Sequence, residues 1–201
     1  MVRQYMGQES VELCLDRVSK YIGALEKRYP GVKKMMDGPV GTSYLSAPAS
    51  TRLEYHSCYP GGLVVHSLNV VDNLFVLAEA LCPKMFELQK LIFVGLFHDL
   101  GKAGDGENEY YLPNPSDWHR EKLGQLYKTN ERCAYMPTSE RGLYLLQQHG
   151  IVVGNDEYVA IRLNDGMYVD ENKPYRMKET RLALLVHWAD RWAVEQEKIL
   201  G

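Results

Sequence analysis

Cysteine pairing is the first thing this chain lacks. Its four cysteines, Cys14, Cys58, Cys82 and Cys133, are scattered and none forms a Cys-x-x-Cys pair. They read as reduced thiols, which points to a cytoplasmic protein without a disulfide framework. Strong charge of either sign is also missing: 23 Lys and Arg stand against 26 Asp and Glu, for a net charge of −3. That balance argues against extended duplex binding but leaves room for a local basic pocket that takes one anionic substrate. Long apolar runs are scarce, because His, Asn, Asp or Lys interrupt them, so no membrane-spanning helix and no membrane partner are expected. Arg3 and Gln4 lead into a mixed polar stretch, and no signal peptide is expected. Strand patterning is poor. No internal repeat, low-complexity tract or obvious linker appears.

What remains is an all-α pattern in one domain spanning residues 1–201, with 45% hydrophobic residues to build a core. Val11, Leu15, Val18, Ile22 and Leu25 recur at helical spacing, predicting a first helix over about residues 9–29 that ends near Pro30-Gly31. Residues 31–62 are rich in Gly, Pro, Ser and Thr and predict a long irregular segment, of a kind that is often functional. Helices are predicted over 63–81 and 84–100, with Pro83 opening the second. A loop follows over 102–115. Weaker helices are expected over 117–128, 139–149 and 155–163, and a last long one over 178–198. At most a short hairpin is expected in the loop-rich parts.

Three short pieces carry the chemistry. His66 follows Gly61-Gly62-Leu63-Val64-Val65; His98-Asp99 closes the apolar run Leu91 to Phe97; Asp190 follows Leu182 to Val186. Two imidazoles and two carboxylates suit a borderline or hard divalent ion. Adjacent helical residues point about 100° apart, so His98 and Asp99 converge on one ion only near a helix end or on opposite sides of it. An acid at a helix C-terminus opposes the dipole, which makes a nearby cation more favourable. Taken singly, His66 also reads as a satisfied core histidine, Asp99 as a solvated helix end and Asp190 as a partner for Arg191 or Arg181.

In this order the pieces resemble the H…HD…D pattern of the HD superfamily of metal-dependent phosphohydrolases. The run Tyr55 to Leu68, with Tyr59-Pro60-Gly61-Gly62-Leu63 before His66, looks like one branch of that family, and His98-Asp99-Leu100-Gly101-Lys102 matches a common variant. The resemblance covers about residues 50–195. It implies a helical HD-type bundle with His66, His98, Asp99 and Asp190 as ligands of one divalent ion (Mn, Co, Fe, Ni, Zn or Mg). A second ion is left open, because Asn164-Asp165-Gly166 stands where two-metal members carry a His-His pair. The implied reaction is hydrolysis of a phosphoester or phosphoanhydride bond in a nucleotide or small phosphate by metal-activated water, with Asp99 orienting that water.

Other polar residues are candidates on weaker grounds. Lys102 could steady a phosphate or the transition-state charge, or be a surface lysine. Arg52 and His56 could line a substrate pocket or be loop residues. His119 or His56 could donate a proton to the leaving oxygen, and Asp165 could bind metal or substrate. His149 reads as a helix end, and His187 as buried or orienting a ligand. Tyr110-Tyr111 and Trp188/Trp192 could stack a base but read more readily as core. Two other functions stay open: a 3′-end nuclease of the same fold acting on short single strands, and a non-catalytic, metal-containing nucleotide-binding protein. Self-association is also left open.

Overall fold

A computed structural model describes residues 11–200, with side chains from Leu13 to Lys198. Helices dominate, joined by one two-stranded sheet. In chain order they are α1 (Val11–Leu25), α2 (Val32–Met36), α3 (Pro39–Ser46), α4 (Gly62–Leu81), α5 (Leu88–Phe97), β1 (Tyr111–Pro113), α6 (Asp117–Leu123), β2 (Tyr127–Thr129), α7 (Thr138–Gln148), α8 (Asn155–Arg162) and α9 (Arg181–Leu200). The first helix begins in the description at Val11, so the expected start at Glu9 and Ser10 lies outside it. Its buried stripe is Cys14, Val18, Ile22 and Leu25, whereas Leu15 is exposed.

The core forms around α4, which packs against α9 on one side and α5 on the other. By length and composition α4 could cross a membrane. Leu63, Val64, Leu68, Val70, Val71 and Leu74 are instead buried in the same cluster as residues of α1, α5, α8 and α9. That is how a core helix satisfies its apolar surface.

Several boundaries differ from the sequence expectation for identifiable reasons. Residues 31–62 are not wholly irregular, because Pro39 starts α3 at a position that needs no amide hydrogen. Tyr44 then locks α3 down by donating to the Leu96 carbonyl at 2.8 Å. Residues 82–87 form a turn, so α5 starts at Leu88 and Pro83 does not open it. α6 stops at Leu123 because Gly124 takes a left-handed φ of 58°. Beyond it Tyr127–Thr129 pairs antiparallel with Tyr111–Pro113, placing a hairpin where helix and loop were expected. α9 starts at Arg181, with Thr180 Oγ1 accepting from the Ala183 amide. Trp188 and Trp192 are 46% and 60% exposed, so they lie on the outer face of α9 and not in the core. No two of the four cysteines are bonded.

Candidate metal centre

Gly61 and Gly62 set the start of α4. Gly61 holds a left-handed φ of 81°, and a Cβ on Gly62 would lie 2.0 Å from the Ser57 carbonyl oxygen. Only glycine permits both, and the turn delivers His66 into the interior one helical turn later. On α5 the regular helix ends at Phe97. His98 keeps helical angles, while Asp99 (φ −110°, ψ 15°) breaks away into a 3-10 turn over Leu100–Lys102. This break turns two consecutive side chains towards one point. Asp190 reaches the same point from α9.

His66 Nε2 lies 3.0 Å from Asp190 Oδ1 and 3.9 Å from Asp99 Oδ2. His98 Nε2 lies 3.5 Å from Asp99 Oδ2 and 3.7 Å from Asp190 Oδ1. Ligand atoms about 2.1 Å from a shared ion sit roughly 3.0 to 4.2 Å apart, the larger value when they face each other across it. All four separations fall in that window. His66, His98 and Asp190 form the tighter trio, and Asp99 Oδ2 also accepts from Lys102 Nζ at 2.5 Å. Both Nε2 atoms are fully buried and neither has a hydrogen-bond partner among the described residues. For His66 the Asp190 carboxylate is nonetheless only 3.0 Å away, and it helps draw a proton onto the ring. An orphaned buried nitrogen costs about 1–3 kcal/mol, and a metal ion removes that cost.

The opposite nitrogens explain why the two Nε2 atoms face inward. His98 Nδ1 donates to the Gly95 carbonyl at 2.8 Å. His66 Nδ1 donates to Glu197 Oε1 at 3.0 Å. His98 therefore turns a lone pair towards the cluster, and His66 turns Nε2 there, which offers a lone pair once an ion displaces the proton that Asp190 and Glu197 draw onto the ring. Glu197 is held in turn by Asn69 Nδ2 at 2.8 Å and by Ser57 Oγ at 2.6 Å. Ser57 has a left-handed φ of 45°, uncommon for serine, at the position that makes this contact. Sequence reasoning missed Glu197. The available signal was its place seven residues after Asp190, on the same face of α9.

The buried carboxyls of the cluster shift the titration of its neighbours. Burial opposes charge on His66, but the carboxylates of Asp190 and Glu197 outweigh it and hold the ring up at about 10. Burial would push Asp99 up, yet Lys102, His98 and His66 bring it below the usual carboxylate range. Lys102 is raised, because Asp99 outweighs its burial. Burial and the neighbouring His66 drive His56 down to about 3, so that ring is neutral. A set of buried acids that draws protons onto a histidine is a set that attracts a divalent ion.

A cavity of about 620 Å³ opens beside the cluster, with Asp99, Lys102, Asp165, Asp190, His56 and Tyr111 in its walls. Asp165 lines it and stays exposed to solvent, while partial desolvation by the surrounding chain, then Asp99, shifts its carboxyl up. His56 lies against His66 with ring centroids 4.4 Å apart and the planes tilted by 41°, and its Nε2 is buried without a partner among the described residues. His56, His66 and Glu197 also stand close enough for an ion. Glu197 and His66 Nδ1 are already bonded to each other, however, which leaves His56 alone there. His187 donates from Nδ1 to the Asn164 carbonyl at 2.8 Å. Asn164 Nδ2 in turn reaches Asp99 Oδ1 at 3.4 Å. Thus the structure brings together His66, His98, Asp99, Asp190, Lys102 and His56.

Arg52 and His119 are not in the cavity walls. Arg52 pairs with Glu54 at 3.2 Å. His119 Nδ1 bonds Ser116 Oγ at 2.8 Å, and the same hydroxyl caps α6 by accepting from the His119 amide. His149 caps the end of α7. Tyr110 is buried beneath Arg141, whose guanidinium lies 4.4 Å from the ring centroid. Set against known proteins, the chain matches no family model, no curated protein and no solved structure.

Proposed function

We propose that the protein is a metal-dependent phosphohydrolase acting on a nucleotide or related small phosphate ester. One observation carries this reading: two buried, partnerless imidazole nitrogens converge with carboxylate oxygens of Asp99 and Asp190 on the wall of a cavity. The HD-type order of these residues in the sequence supports it. His66, His98, Asp99 and Asp190 would hold the ion, and two nitrogens with two oxygens suit Mn, Fe, Co, Ni, Zn or Mg. When bound, such an ion supplies Lewis acidity and a water that ionises near neutral pH.

The chain's own side chains account for the remaining tasks. Lys102 is fixed beside Asp99 and meets a substrate phosphate as a point charge. Its ammonium is most useful as charge moves onto the phosphoryl oxygens, so it favours the transition state over the ground state. His56, neutral near pH 7, offers its ring nitrogen as a hydrogen-bonding group to substrate and not as an acid. Asp165, with its raised carboxyl, is the cavity residue best able to carry a proton to the leaving oxygen. The cavity volume is in the range that encloses a small ligand.

The test is a screen of mononucleotides, nucleoside triphosphates and short oligonucleotides with Mn, Co, Mg and Ni, read by product chromatography. Hydrolysis that depends on added metal and stops with chelator is expected. Absence of turnover on every phosphate offered, with metal demonstrably bound, would overturn the reading.

A further inference from the structure

The face of α9 that carries Asp190 continues past the metal cluster. One to two turns earlier, Leu184 and His187 border a second pocket of about 260 Å³. Tyr168 and His187 belong to both this pocket and the larger cavity, so the two are neighbours on one helix face. From Leu184 to Asp190 is about 9 Å along the axis, the span of a phosphate, a sugar and a base. Gly166 lets the chain pack closely against His187 at this junction: a Cβ there would lie 2.4 Å from His187 Cε1.

The linings of the two spaces differ in chemistry. The cavity has Asp99, Lys102, Asp165, Asp190, Arg191 and Lys198 among its walls. The second pocket is walled by Leu163, Met167, Tyr168 and Leu184, with Glu179 as its charged side chain. Glu179 makes no hydrogen bond or ion pair among the described residues. His187 has committed its Nδ1 hydrogen to the Asn164 carbonyl, so Nε2 is the acceptor of the neutral ring. Tyr168 is 81% exposed, so its ring is free to stack.

We propose, building on the nucleotide phosphohydrolase reading, that this second pocket holds the substrate's base and prefers guanine. The apolar walls take the faces of the ring. The two oxygens of Glu179 match the adjacent N1–H and amino donors of guanine, whereas adenine presents a donor beside a lone pair and leaves one oxygen opposed. His187 Nε2 accepts from a sugar hydroxyl at the junction.

The test uses the Mn-loaded full chain with guanosine and adenosine monophosphate and, as a substrate lacking a base, p-nitrophenyl phosphate. A guanine preference of at least about tenfold in kcat/KM is expected, because hydrogen bonds to a charged group are the strong ones. Glu179→Gln should bring the preference to within about twofold, and Leu184→Trp, which fills the pocket, should lower kcat/KM for both nucleotides. Equal turnover of the two bases, or a preference that survives Glu179→Gln, would overturn the proposal. Hydrolysis of p-nitrophenyl phosphate but of neither nucleotide would overturn it too, while leaving the phosphohydrolase reading intact. Should no ester be hydrolysed, that reading falls instead. Calorimetric binding of the two nucleotides then judges the pocket by the same ratio: a guanine preference abolished by Glu179→Gln supports it, and equal affinities overturn it.

Discussion

His66 and His98 differ from His56 and His119 in what their second ring nitrogen does. In the first pair Nδ1 is tied to Glu197 or to the Gly95 carbonyl, and Nε2 is left buried, partnerless and aimed at carboxylates. His56 leans on His66 with a buried, partnerless Nε2 but no second anchor among the described residues, and His119 spends Nδ1 on a helix cap. A histidine built to hold a metal is recognised less by its place in the sequence than by this division of labour between its nitrogens.

The comparison can be broken most severely at the ligands. His98→Ala should weaken Mn binding by more than about 100-fold, exceeding the loss usual for supporting residues, as read by calorimetry on folded protein. A variant that keeps wild-type affinity would remove His98 from the metal site.

Lys102→Met separates charge stabilisation from metal binding. Turnover should fall on the order of 100-fold, the usual cost of one preorganised donor, while metal content is kept. The metal-free variant should also lose stability, because buried Asp99 loses its ammonium partner and keeps only Asn164 and the neighbouring imidazoles, and added Mn should restore its Tm. A less than threefold change in turnover would return Lys102 to a structural role.

Glu197→Ala sharpens the comparison by removing only the anchor of His66. Metal affinity should drop about 10- to 100-fold, less than for loss of a ligand. Unchanged affinity would mean that the Glu197 contact does not orient the ring.

The smallest effect is expected for His119→Ala. Turnover should change less than about twofold and stability by about 0.5 kcal/mol or less, since Ser116 still caps α6. A large loss of activity would place His119 in the chemistry despite its position outside the cavity walls.

The sequence displayed the metal-site candidates because each stands at the end of an apolar run where a polar side chain is anomalous. His98 and Asp99 were hard to reconcile on one helix, and the break at Asp99 resolves that difficulty. Glu197 was not legible by the same logic. It lies 131 residues from His66, near the end of a helix whose last turns alternate charge, and reads as solvated surface. α2 was hidden by its shortness between Gly31 and Gly38, and α3 by its Gly, Pro and Ser content, since local propensity there is overridden by burial of Met35, Val40 and Tyr44. Trp188 and Trp192 misled in the other direction. Their helical spacing looks like core, yet α9 buries Ala189 and Ala193 instead, which allow close approach to α4.

The most direct test of the central claim is an anomalous difference map from crystals of the Mn-loaded protein. The account predicts one strong peak about 2.0–2.3 Å from His66 Nε2, His98 Nε2 and Asp190 Oδ1, with Asp99 completing the set. A fully loaded crystal whose peak lies elsewhere, or whose cluster holds no ion, would contradict it.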